Sequence, residues 1–354
     1  MLNFLSRIFH DDAAYARGRT IALYAVLAAA NAGAWLWAVM AFRTYPLLLG
    51  TALLAYSLGL RHAIDADHIA AIDNVTRKLM QEGKRPVAVG FFFSLGHSTV
   101  VVLAAIAIAA TAMALSTRLA SFRTVGGIIG TSVSAAFLLV IAVMNLFILV
   151  SLYRTFHQVR AGRRYEPEDI DALLAGGGPL ARVLRPLFGM IRRSWHMYPL
   201  GLLFGLGFDT ATEIGLLAIS AAEAAKGMPI WSILVFPALF TAGMSLVDTT
   251  DSVLMVGAYG WAFTRPIRKL YYNLTITSIS VLVALLVGGV EALALLADRL
   301  HLSGGLWSVA TSLNGNFGSF GYLIVAVFVA SWVVSAAIYR LKGYDALDVA
   351  SVPD

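Results

Sequence analysis

Eight separate apolar stretches divide this chain, at about 20–42, 46–73, 87–114, 126–153, 196–222, 230–260, 270–297 and 320–341. Each is near or above the roughly 20 residues that a bilayer core requires of a helix. Inside hydrocarbon every backbone amide and carbonyl must find its partner within the segment, which leaves the α-helix as the form such stretches can take. The expectation is an all-α polytopic membrane protein: one transmembrane domain over residues 1–354, with eight transmembrane helices arranged as two four-helix halves. Helices 1–4 would occupy about 20–153 and helices 5–8 about 196–341, with a charged, glycine-rich loop at 154–195 between them. Composition agrees, with 59% hydrophobic and only 13% charged residues, where soluble proteins average about 25% charged.

The distribution of basic residues gives the orientation. Of 26 Lys and Arg, 20 fall in the N-terminal tail and on its side of the alternating loops, five on the opposite side, and Arg61 lies within a span. The positive-inside rule then places both termini and the 154–195 loop in the cytoplasm. The first twenty residues carry three arginines and two aspartates and no cleavage pattern, so the first apolar segment is expected to remain as an anchor. Cysteine is absent, which removes disulfides, thiolate ligands and a thiol nucleophile. A net charge of +6 reports topology here and is no basis for nucleic-acid binding.

Four of the spans are not purely apolar. The second contains Arg61-His62-Ala63-Ile64-Asp65-Ala66-Asp67-His68-Ile69, followed by Asp73 and Asn74; the third contains Ser94, His97 and Ser98 on one helical face. The fifth contains Asp209, Thr210, Thr212 and Glu213, and the sixth a stripe of Met244, Asp248, Asp251 and Met255. An ionised group at mid-membrane costs about 2.5–3.5 kcal/mol on insertion scales, so groups this numerous point to an ion path. The four charged spans are expected to form an inner quartet. The fourth has no charged residue from Thr124 to Tyr153 and the eighth none from Asn314 to Tyr339, so both read as scaffold; Glu291 near the end of the seventh reads as an interface residue, and Asn31 in the first reads either as packing glue or as a donor to the path.

Imidazole nitrogen and carboxylate oxygen together suit a divalent first-row ion such as nickel, cobalt or zinc. On an ideal helix His62, Asp65 and His68 share an arc of about 120° and Asp67 points away. Either Asp67 serves another face or the helix is distorted. Arg61, four residues before Asp65, is a potential ion-pair partner for it, which would leave Asp67 as the ligand.

These segments, together with Leu95-Gly96-His97-Ser98, Leu206-Gly207-Phe208-Asp209-Thr210-Ala211-Thr212-Glu213 and Gly243-Met244 with Asp248-Thr249 and Asp251-Ser252, resemble the four signature motifs of the nickel/cobalt transporter family. The resemblance covers nearly the whole chain and is nearest to the high-affinity nickel permeases associated with hydrogenase. It implies an eight-helix secondary permease of the bacterial cytoplasmic (inner) membrane. Its cargo would be Ni(II), with Co(II) as the alternative. The H-x4-D-H pattern maps onto His62, Asp67 and His68 and favours Asp67 over Asp65; both stay candidates. The metal set is then His62, Asp65, Asp67, His68, His97 and Asn31, and the translocation path Asp209, Thr210, Glu213, Asp248 and Asp251.

The expected partners are the metal dication and the lipid bilayer, with cytoplasmic metallochaperones compatible with this reading and no resident cofactor implied. An enzyme is disfavoured: no His-Glu pair exists for a zinc-protease motif, and His97 and Ser98 diverge by about 100° on a helix. No phosphate-binding loop is present, so ATP is not the direct drive.

Overall fold

The computed structural model describes residues 11, 16–110, 116–160, 191–206, 211–262 and 266–341. Regular structure among them is helical throughout. In chain order the helices are α1 (Ala16–Phe42), α2 (Pro46–His62), α3 (Ala66–Gln81), α4 (Val89–Ala110), α5 (Ser116–Arg160), α6 (Met197–Gly205), α7 (Ala211–Ala225), α8 (Ile230–Ile233), α9 (Val235–Ala262), α10 (Pro266–Arg299), α11 (Gly305–Asn314) and α12 (Phe317–Leu341).

The fold is an all-helical multi-pass membrane protein. Among the described residues five helical segments are long and apolar enough to cross a bilayer: Ala16–Phe42, Val89–Ala109, Thr131–Arg154, Ile230–Gly260 and Leu274–Arg299. A sixth is formed if α2 and α3 are taken as one span bent by 51°. The expected fifth span is divided between α6 and α7, with residues 207–210 outside the described set. Neither that pair nor α12 meets the length and hydropathy of a full span over described residues; Gly215–Ala225 and Gly321–Ser331 are their apolar stretches.

The second span was expected at about 46–73, with a distorted helix as one of two ways to account for Asp67. In the structure α2 closes at His62 with tight turns, Ile64 N–H to Arg61 O and Asp65 N–H to His62 O, and Asp65 is extended (φ −64°, ψ 148°) as the residue that starts α3. Neither proline nor glycine marks the break. The local sequence Ala63-Ile64-Asp65 could continue a helix, so the interruption is imposed by what surrounds it.

Packing follows the polarity of the spans. α9 lies against α1, α2, α3 and α4, while α7 contacts α2, α4 and α9, so the charged spans form the centre of the bundle as expected. Glycine makes the closest approaches possible. Gly59 on α2 meets the backbone carbonyl of Phe240, and Gly90 on α4 meets that of Asp248; a Cβ at either would overlap that oxygen. α5 packs lengthwise on α10 at the periphery.

One residue read as peripheral proves to be internal. Glu291 is only 4% exposed and accepts a hydrogen bond from Ser134 of α5 at 2.9 Å, so it is a buried helix-to-helix tie rather than an interface residue. Asn145, in the charge-free stretch 124–153 of α5, donates to Asn74 Oδ1 at 2.8 Å. Asn74 Oδ1 also accepts from the buried Arg77, whose other terminal nitrogen reaches Thr277 of α10. Scaffold helices therefore carry buried polar anchors: both terminal nitrogens of the buried guanidinium find acceptors, which lowers the cost of burying its charge.

Candidate metal centre

Three helix positions converge at the centre of the bundle. His62 ends α2, His68 lies in the first turn of α3 and His97 is midway along α4; they are 1%, 0% and 3% exposed. One ligand atom from each lies within 4.8 Å of the other two. The ring centroids form a near-equilateral triangle of 4.6, 4.7 and 4.9 Å. An unbroken helix would spread His62 and His68 over 120° of its surface. The bend at 63–65 changes the axis between them.

Each imidazole has its own carboxylate partner. His62 Nδ1 is 3.0 Å from Asp65 Oδ2, with Thr212 Oγ1 also at 3.0 Å. His68 Nδ1 lies 3.3 and 3.4 Å from the two oxygens of Asp248. His97 Nε2 is 2.9 Å from Glu213 Oε1. A carboxylate on one ring nitrogen fixes the tautomer and leaves the other nitrogen's lone pair for a ligand. With Nδ1 held on His62 and His68, their Nε2 atoms are the ones offered. On His97 the carboxylate sits on Nε2, which is also 2.9 Å from His62 Nε2, so the nitrogen left to it is Nδ1. Among the described residues His68 Nε2 and His97 Nδ1 are buried with no hydrogen-bond partner. Leaving a buried polar atom unsatisfied costs about 1–3 kcal/mol. Two in one cluster indicate a place prepared for something else.

Aromatic rings wall the cluster: Phe93 stands edge-on to His68 with centroids 4.9 Å apart, and Phe240 tilts over His62 at 5.5 Å. Such walls exclude water and lower the local dielectric, strengthening the attraction of the carboxylates for a cation.

The residues named from the sequence divide as follows. His62, His68, His97, Asp65, Asp248 and Glu213 are brought together. Asp67 is half-buried, next to His68 in the first turn of α3. Asp251 is half-buried one turn beyond Asp248. Asp209 and Thr210 lie outside the described residues. Asn31 directs its amide to packing, donating to Leu27 O and Ala242 O and accepting from Tyr56 Oη. Asp65 takes His62 as its partner within 4 Å in place of Arg61, which is exposed. Asp73 is held apart from the histidines by Tyr259 and Ser280. The sequence reading missed Thr212, Phe93 and Phe240 as members of the site. Only Thr212 carried a signal, its place one residue before Glu213.

Comparison with known proteins decides the family. Residues 48–338 match the family model described as NicO, high-affinity nickel-transport protein. This chain belongs to that family. A high-affinity nickel transport protein of Cupriavidus necator is 59% identical over 349 residues, covering 99% of both chains. The hydrogenase nickel incorporation protein HupN of Bradyrhizobium diazoefficiens is 54% identical over 318 residues, 90% of this chain and 83% of its own. The cobalt transport protein NhlF of Rhodococcus rhodochrous is 43% identical over 298 residues, 83% of this chain and 84% of its own. No solved structure matches this chain. The protein is a member of a transporter family and not an enzyme.

Proposed function

We propose that this protein carries out high-affinity uptake of Ni(II), with Co(II) as a second cargo, across the bacterial cytoplasmic membrane. The dication would be held by His62, His68 and His97 on its way through. The observation that carries the reading is the buried triangle of imidazoles, with two orphaned nitrogens and a carboxylate behind each ring. Asp65, Asp248 and Glu213 then act from behind the rings, orienting them and supplying negative charge that offsets the dication. Asp67, adjacent to His68, is the carboxylate we assign to the ion itself, in line with the H-x4-D-H pattern.

Exposure of at most 3% on each imidazole describes an occluded site, so uptake requires opening first toward one side and then the other. Asp209, Thr210, Asp248 and Asp251 extend the polar path along the fifth and sixth apolar segments. We further propose eight spans, with α6–α7 and α12 completing the set, and both termini and the 154–195 loop in the cytoplasm. A membrane potential negative inside drives a dication inward with about 4.6 kcal/mol per 100 mV, twice the value for one charge.

Uptake of radioactive nickel at submicromolar concentration, in cells expressing wild type or His68→Ala, tests the reading, with unlabelled cobalt as competitor. Loss of saturable uptake at equal protein level is expected for the variant. Unchanged uptake would remove the histidine triangle from the path.

A further inference from the structure

The eighth apolar segment is free of charge up to Tyr339 and belongs to no motif. Yet α12 touches the metal centre's weakest mechanical point. Where α2 breaks, the Ile64 carbonyl is released from helical bonding, and among the described residues no backbone amide donates to it. What faces this oxygen is the bare Cα of Gly321 on α12: a Cβ there would overlap Ile64 O, crowd Ile64 C and come within 3.4 Å of Asp65 C. One helical turn further, Ile324 is 5% exposed and packs in one cluster with Ala66, Ile69 and Ala70 of α3, against which Ile64 also rests.

We infer that α12 is a buttress that sets the bend between α2 and α3, making Gly321 and Ile324 positioning residues for metal binding. His62 lies two residues before Ile64, Asp65 one after and His68 four after, so the angle at this carbonyl determines whether the first and second imidazoles face the same point. No proline or glycine within Ala63-Ile64-Asp65 fixes that angle locally. Cα–H···O contacts of this kind are individually weak, about 0.5–1 kcal/mol. Their importance here is steric: a methyl group at 321 would have to displace main chain, because the atom it meets is a carbonyl oxygen and not the end of a flexible side chain. A shift at Ile64 passes directly into the ligand set. The inference rests on the histidine-triangle reading, and it assigns a function to a helix that the sequence marks as inert.

The test uses full-length protein, purified in detergent and titrated with Ni(II) by calorimetry well below the unfolding midpoint, so that Kd is read on folded protein. Gly321→Ala should raise Kd at least about tenfold, the low end of what supporting residues cost a metal site. Ile324→Ala, which withdraws the buttress instead of pushing on it, should raise Kd in the same direction. Gly289→Ala, where a Cβ meets nothing within 4 Å, is the control and should leave Kd unchanged. His68→Ala should abolish high-affinity binding. If His68→Ala loses binding while Gly321→Ala and Ile324→Ala both keep the wild-type Kd, the buttress is overturned and the metal site stands. Wild-type binding by His68→Ala would instead overturn the metal site, and the buttress with it. Should Gly321→Ala not be recovered folded, Ile324→Ala decides alone.

Discussion

Asp65→Asn separates a carboxylate that orients an imidazole from one that binds the ion. The side chain holds His62 Nδ1 at 3.0 Å in a site that is almost fully buried, and Asn preserves its size while removing the charge. The change is free of a common confound. Asp65 occupies the N-cap of α3 but makes no side-chain capping bond, and Asn caps equally well, so the helix start is not weakened. Loss of an orienting partner costs a metal site about 10–100-fold in affinity, which is about 1.4–2.8 kcal/mol. Thr212 Oγ1, also 3.0 Å from Nδ1, remains as an acceptor and keeps the ring from turning freely. The expected loss is therefore near the lower end, about tenfold. Adding Thr212→Val removes the second acceptor and should bring the loss toward about a hundredfold. His62→Ala removes the donor nitrogen itself and should abolish saturable uptake. The assay is radioactive nickel uptake across a concentration series, reporting KM and Vmax at matched expression. An Asp65→Asn variant as inactive as His62→Ala would make Asp65 a ligand. A variant with affinity within about twofold of wild type would refute the orienting role, since the effect expected is about tenfold.

Asp67→Asn should behave like the histidine variants, losing submicromolar uptake, and a silent substitution would remove it from the site. Asp248→Asn and Glu213→Gln, each behind one imidazole, should weaken nickel binding by about 10–100-fold without loss of folded protein, as read by calorimetry and thermal unfolding. Asn145→Ala removes one of the two donors to Asn74 Oδ1, Arg77 remaining as the other; it should cost about 0.5–1.5 kcal/mol of stability, visible as a lower thermal midpoint, while leaving nickel affinity unchanged. Reporter fusions at the C-terminus and within 154–195 should both report the cytoplasm, and a periplasmic C-terminus would refute the eight-span topology.

What the sequence determined by itself is what depends on composition and on local pattern. Long apolar stretches demand helices because hydrocarbon offers the backbone no other partner, so the all-helical membrane class was legible at once. Histidines and carboxylates at mid-span are costly enough that their presence alone marked His62, His68, His97, Glu213 and Asp248 as a group. Tertiary structure decided the rest. The ideal helical wheel set Asp65 beside both histidines, whereas the break at 63–65 turns it into the partner of His62 alone, and no residue in that stretch announces a break. The same holds for Glu291, whose position near a span end suggested an interface but whose burial depends on Ser134, over 150 residues distant in sequence. Pairings such as His97 with Glu213 and His68 with Asp248 join residues separated by 116 and 180 positions. Helical periodicity describes one helix at a time; which faces meet, and where a helix must bend to let them meet, is fixed by close packing among helices, down to a glycine on α12 against a single carbonyl.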